Sequence, residues 1–446
     1  MTFSRNKNIK TSGLKSILRS FKYRNYRLFF GGQSISLIGT WIQRLATPWL
    51  VYHLTGSALL LGIVGFAGQI PTFLIAPFAG VLTDRWNKYY ILIGTQIAAM
   101  VQALILALLY FTGTIEVWHI VVLSTFLGII NAFDVPARQS FVVEMVENKE
   151  DLGNAIALNS SMVNGARLLG PSIAGMLIVF TGEGICFLLN GLSYLFVIAS
   201  LLMMNVKPRK KKIKNAPVLK ELKEGFSYAI GFTPIKYSIL LLGLVSLMGM
   251  PYTVLMPVFA KEILHGGSHT FGFLMGASGL GALMGALYLA SRKNILGLSK
   301  VIPMSAALFG LGLIVFSLSR FQPLSLALMV VVGLGMMLQM ASTNTIIQTV
   351  VDDDKRGRVM SFYTMAFMGT APFGSLLAGG LADTLGTPNT ILIGGVACIL
   401  GAFVYARKLP ELKKIMHPTY VKLGLILNDK PTEDVATAEI SAIKVE

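Results

Sequence analysis

Asn205-Val206-Lys207-Pro208-Arg209-Lys210-Lys211-Lys212 opens the longest hydrophilic segment inside the chain, which closes at Lys236. Its position decides the fold, because long apolar runs fill the chain on both sides of it. A helix of about 20 mostly apolar residues crosses the hydrocarbon core of a bilayer. Six such runs precede the segment, at 26–54, 57–83, 89–112, 118–143, 153–180 and 184–204. Six follow it, at 234–260, 269–291, 299–320, 323–349, 357–383 and 387–408. The expectation is an all-α membrane protein with twelve transmembrane helices in two six-helix bundles, 26–204 and 234–408. A cytoplasmic amphipathic segment (1–25), a cytoplasmic linker (205–233) and a cytoplasmic tail (409–446) complete the division.

Composition agrees. Only 13% of the 446 residues are charged and 54% are hydrophobic, whereas a soluble domain carries about 25% charged residues. The net charge of +17 would point to nucleic acid in a soluble protein. Here 33 of the 38 Lys and Arg fall on one side, in 1–27, 84–88, 144–152, 205–236, 292–300, 355–358 and 407–446, and the other side holds two at the ends of its runs, Lys261 and Arg320. That asymmetry is the positive-inside pattern and places both chain ends in the cytoplasm, with no nucleic-acid partner expected. The first run is too long for a signal peptide, so it is expected to stay as a span. Before it, Leu14, Ile17, Leu18 and Phe21 recur at helical spacing among Lys15, Arg19 and Lys22, the pattern of a helix lying on the membrane surface. The basic run after Asn205 reads either as a solvated linker or as a site for anionic lipid. Cys186 and Cys398 each lie inside an apolar run and read as packing residues rather than a disulfide or metal site.

The two halves carry an internal echo. Gly153, Gly165, Gly170 and Gly175 match Gly357, Gly369, Gly374 and Gly379, each pair 204 residues apart. Parallel six-helix repeats around a midplane site are a known transporter plan.

Several motifs lie at the ends and centres of the runs. Gly80-Val81-Leu82-Thr83-Asp84-Arg85-Trp86-Asn87-Lys88 ends the second run. Asp352-Asp353-Asp354-Lys355-Arg356-Gly357-Arg358 occupies the loop before the eleventh, where acids suit a helix start. Asn131-Ala132-Phe133-Asp134-Val135-Pro136-Ala137-Arg138 lies in the fourth run, Ala166-Arg167-Leu168-Leu169-Gly170-Pro171 in the fifth, and Asn190 with Ser193 in the sixth. Together these resemble the major facilitator superfamily, in its third drug:proton antiporter branch, which includes enterobactin-exporter-like and transmembrane secretion effector members. Asn87 stands where that family's loop signature has glycine, and the matching loop of the second half, Ser291-Arg292-Lys293-Asn294, lacks the acid. The resemblance implies a bacterial inner-membrane exporter working by exchange for protons. It also implies a gating role for Asp84 and Arg85, and Arg358 is expected to reach Asp84 as a lock on the cytoplasmic side. The span-five pattern around Gly170 and Pro171, echoed at Gly374, is expected to pack helices closely, because small residues let backbones approach.

Charges within the runs are the strongest functional candidates, since an intramembrane charge is costly unless paired or wet. Asp134 and Arg138 are four apart and share a helix face. Asp134 is the one carboxylate well inside a run, so it is the proton-coupling candidate, with a permanent ion pair to Arg138 as the alternative. Arg44 and Arg167 add to Arg138, giving three cations against one acid. Such an excess facing a cavity suits an anionic or catecholate-like substrate. Arg44, Asn159, Asn164, Arg167, Gln339, Asn344 and Tyr363 are the expected cavity residues.

The function expected is a secondary active exporter of a small amphipathic compound, drug or siderophore-like, by alternating access. A monomer in the bilayer, with the small molecule and protons as partners, is expected. An importer, a symporter, a lipid flippase or a non-transporting sensor on the same fold are the alternatives. An enzyme would need converging His, Cys, Asp or Glu in the runs, and the five histidines are scattered. No phosphate loop for an ATP-driven pump is present, and no cofactor or metal is expected.

Overall fold

The computed structural model describes residues 18–146, 148–205, 228, 230–292, 295–352 and 355–422. The basic run 207–212, most of the expected surface helix before residue 18 and Asp353-Asp354 lie outside the described residues.

Six helices fill the first half: α1 (Arg24–Thr55), α2 (Ala58–Arg85), α3 (Lys88–Phe111), α4 (Val117–Met145), α5 (Lys149–Thr181) and α6 (Glu183–Leu202). Their turns are short and chemically marked. Gly56 takes a left-handed φ of 63° to end α1, a conformation open to glycine at no steric cost. Ser57 then caps α2 by accepting the Leu60 N–H at 3.3 Å. Asn87 keeps an extended φ of −76° and caps α3 through the Tyr89 N–H. Asparagine therefore serves this loop by capping, and needs no left-handed backbone to do so.

The second half is less regular. The expected span 234–260 is α7 (Thr233–Leu244), a π-helical turn Val245–Gly249, α8 (Tyr252–Val258) and a second π-helical turn Phe259–Ile263. Pro251 and Pro257 remove backbone donors there, and π turns often mark functional positions. Then come α9 (Ser268–Ser291), α10 (Leu298–Leu318) and α11 (Gln322–Val350). The expected span 357–383 is broken into α12 (Arg356–Met368) and α13 (Ala371–Leu385). Pro372 opens α13 and has no N–H to give the Met368 carbonyl, and Thr370 Oγ1 donates to the Ala366 carbonyl at 2.8 Å. Finally α14 (Thr387–Lys422) continues well past residue 408. Leu412, Met416 and Tyr420, four residues apart, are buried on one face of that extension.

Eleven helical stretches among the described residues are long and apolar enough to cross a membrane. Helix α1 is 32 residues long but is not one of them, because polar side chains such as Gln33, Ser36, Gln43 and Arg44 lower its hydropathy; Gln33, Ser36 and Gln43 are buried. It is a helix that faces protein and a cavity more than lipid.

The sequence echo reappears as packing. A Cβ on Gly175 would sit 2.7 Å from the Ser268 carbonyl oxygen and 3.0 Å from the Gly272 Cα. Its counterpart Gly379 opposes Gly62 in the same way, a Cβ there falling 2.8 Å from the Ala58 carbonyl oxygen and 2.9 Å from the Gly62 Cα. Helices α5 and α9, and α2 and α13, thus meet backbone to backbone at the end of the molecule where α1 finishes. Gly374 packs on the Leu247 carbonyl of the π turn after α7, as Gly170 packs on Trp41 of α1.

Candidate functional site

A cavity of about 540 Å³ lies between the two halves. All six helices α1 to α6 line one side; the π turn after α7, with α8, α9, α12 and the start of α13, lines the other. The first side carries Arg44, Arg138 and Arg167, and no carboxylate is among the lining residues. The second side is Met250, Met275, Phe271, Phe367 and Met368 with small hydroxyls, and it carries no ionisable group.

Arg44 is exposed to this space although it lies mid-helix. Its guanidinium carbon lies 4.9 Å from the centre of the Trp41 ring, and that of Arg167 lies 5.9 Å from the same ring. An indole face attracts a cation electrostatically, so one ring holds both guanidiniums. Arg167 also reaches the Met336 sulfur at 3.8 Å. Behind Arg44 runs a buried amide chain. Asn190 Nδ2 donates to Gln43 Oε1 at 2.7 Å, Gln43 Nε2 to Gln102 Oε1 at 3.0 Å, and Gln102 Nε2 to the Leu123 carbonyl at 3.3 Å. The chain ties α6, α1, α3 and α4 together and fixes the register of Arg44.

Asp134 does not line the cavity; it faces α3 and is 5% exposed. Its Oδ1 accepts from Gln96 Nε2 at 2.7 Å and lies 3.0 Å from Thr95 Oγ1, and its Oδ2 is 3.4 Å from Arg138 Nη2. Arg138 bridges the buried acid and the cavity. The Thr95 hydroxyl is also 2.9 Å from the Leu92 carbonyl, so its single hydrogen has two acceptors.

The other expected cavity residues lie elsewhere. Asn164 Nδ2 donates to the Ser160 carbonyl of its own helix, and Asn159 is half-buried on the same helix outside the cavity lining. Gln339 is buried beside Thr343, Asn344 accepts from Gln348, and the Tyr363 hydroxyl donates to the Met340 carbonyl at 3.1 Å. None of these lines the cavity. Asp84 and Arg85 close α2, but their side chains lie outside the described residues. Arg358 lies in the first turn of α12. Pro171 does line the cavity, and α5 runs through it unbroken.

Three clusters were not legible in the sequence. At the end where α1 finishes, the Tyr52 hydroxyl donates to Glu262 Oε1 of the opposite half at 3.1 Å, with Lys261 over its ring, and Trp49 stacks on Phe271. Nearby, buried Glu183 accepts from the Tyr110 hydroxyl at 2.8 Å and lies 3.3 Å from His53 Nδ1. At the other end, Asp151 holds Arg19 at 3.1 Å and Lys22 at 2.6 Å and accepts from the Tyr23 hydroxyl, while Ser20 bonds to Asn154. The Lys22 ammonium is held above its ordinary range by its hydrogen bond to Asp151.

Long apolar helices in two halves around a cavity are an arrangement that membrane transporters use. Residues 15–423 match the transmembrane secretion effector family, and the chain belongs to it, within the major facilitator superfamily. The staphyloferrin A transporter of Staphylococcus aureus is 27% identical over 87% of this chain and 97% of that protein. Macrolide efflux protein A of Streptococcus pyogenes is 22% identical over 88% of this chain and 99% of that protein. The multidrug efflux pump Tap of Mycolicibacterium fortuitum is 26% identical over 84% and 93%. Among solved structures, a bacterial homologue of the human lysosomal transporter Spinster matches with a TM-score of 0.66 at 13% identity, over 88% of this chain and 98% of that one. A bacterial homologue of the iron transporter ferroportin matches with a TM-score of 0.66 at 16% identity, over 86% and 98%. At these identities the structural likeness speaks for the fold.

Proposed function

We propose that the protein is a proton-coupled exporter of a small amphipathic compound, working by alternating access between two six-helix bundles, with α1 as the twelfth span. The observation that carries the reading is the cavity between the halves, polar on one wall and apolar on the other. The names of its relatives, which include a siderophore transporter and drug efflux proteins, agree with export. With both chain ends in the bacterial cytoplasm, the paired glycine contacts and the Tyr52–Glu262 bond fall on the outer side. Closure there is what an inward-facing state requires. Asp84, Arg85 and Arg358 would close the opposite side in the other state.

Asp134 is the proton carrier in this reading. Its surroundings accommodate both protonation states. When it is ionised, Thr95 gives its hydrogen to the carboxylate; when it is protonated, Thr95 gives that hydrogen to the Leu92 carbonyl and accepts instead. Arg138 then turns wholly toward the cavity. The test is pH-gradient-driven transport in proteoliposomes with Asp134→Asn alongside wild type. Loss of gradient-driven movement with retained substrate exchange is the expected result. Full gradient-driven transport in the variant would make the Asp134–Arg138 pair structural only.

A further inference from the structure

We propose that Trp41, Arg44 and Arg167 form a clamp for two acidic groups of one amphipathic anion, whose apolar body lies against the methionine-rich wall. The proposal deepens the exporter reading and rests on it for the direction of transport, though not for binding. Three observations carry it. Arg44 and Arg167 approach one indole ring from two helices, at 4.9 Å and 5.9 Å, so both are presented to one small ligand. Neither makes an ion pair with an Asp or Glu among the described residues, and the cavity lining offers no carboxylate to compensate them. The opposite wall has Met250, Met275 and Phe271, soft and apolar surfaces that adapt to an irregular ligand.

The span-five glycine gains a specific purpose here. A Cβ on Gly170 would collide with the Trp41 Cβ. Its absence lets α1 settle against α5, one turn away from Arg167, and brings the indole within reach of both guanidiniums. Gly170 and Trp41 are positioning residues; the guanidiniums are the groups that meet the ligand. Arginine suits this task, because its planar fork pairs bidentately with carboxylate-like groups and stays charged at any physiological pH. Arg138 differs from both, since Asp134 already engages it at 3.4 Å.

The test uses the purified full-length protein and two xanthene dyes of similar size, 5-carboxyfluorescein as the amphipathic anion and rhodamine 123 as the cation, read by fluorescence polarisation. Wild type is expected to bind the anion at least tenfold more tightly than the cation. Arg44→Gln and Arg167→Gln should each weaken the anion about tenfold or more, the scale of one lost charge-assisted hydrogen bond. Arg44→Lys keeps the charge and should keep the preference for the anion. Trp41→Phe and Gly170→Ala should weaken the anion several-fold with cation binding unchanged, a selectivity that general loosening of the fold would not produce. Equal binding of the two dyes by wild type, or unchanged anion binding in both glutamine variants, overturns the clamp. Intact anion binding with no movement of the dye across proteoliposomes would sink the exporter reading and leave the clamp standing.

Discussion

The two walls of the cavity are built from related halves of one chain, yet they offer opposite chemistry. The first-half wall carries three arginines, an indole and a chain of buried amides. The wall opposite carries methionine, phenylalanine and small hydroxyls, with no charge. The glycines that close the helices on one another are matched between halves, Gly175 with Gly379 and Gly170 with Gly374. The frame therefore repeats while the cavity-facing side chains diverge. Closing a frame needs only close backbone approach, which small residues supply equally on both sides. Gripping an amphipathic molecule needs one polar surface and one apolar surface, which a symmetric pair of walls would not provide.

Reversing the polar wall should have the largest effect. Arg167→Glu is expected to reduce transport of an amphipathic anion by about two orders of magnitude, from one lost charge-assisted bond and one new repulsion. Proteoliposome uptake of carboxyfluorescein reads this directly, and wild-type rates in the variant would erase the distinction between the walls.

Trimming the apolar wall should act more gently and without regard to charge. Met250→Ala or Met275→Ala is expected to weaken the anion and the cation alike, by roughly three- to tenfold, from a few lost methylene contacts. Dye titrations check it, and a change confined to one dye would assign the methionines a role in charge selection.

The smallest effect is expected far from both walls, where Lys22 ties the amino-terminal segment to Asp151. The folded-state pKa of Lys22 lies above its ordinary 10.5. Its contribution is therefore complete below that ordinary value and fades as alkaline pH passes the raised one. Lys22→Met should remove that dependence and leave dye selectivity untouched, as a thermal-unfolding series across pH would record.

Much of the frame was legible in the sequence. Eleven of the twelve expected spans are helices long and apolar enough to cross a membrane among the described residues, the first run giving a helix that is not, and the three arginines stood out because a charge in such a run needs a reason. The facing of individual polar residues was not legible. Gln339, Asn344 and Tyr363 have the same chemistry as a ligand contact, but each meets a neighbour within the protein instead. Span-level hydropathy carries no information on which side of a helix faces a cavity. The joint hold of Trp41 on two arginines was equally hidden, because it depends on α1 and α5 meeting at Gly170. The break before Pro372 could have been read from the proline, whereas Pro171 leaves α5 continuous.

The most direct test of the account is counterflow of the two dyes in proteoliposomes holding the wild-type protein, with and without an imposed pH gradient. The account predicts that carboxyfluorescein exchanges, that rhodamine 123 lags far behind it, and that protons moving inward drive the anion outward. Rapid exchange of rhodamine 123 with none of the anion would contradict it, and so would anion movement that ignores the gradient.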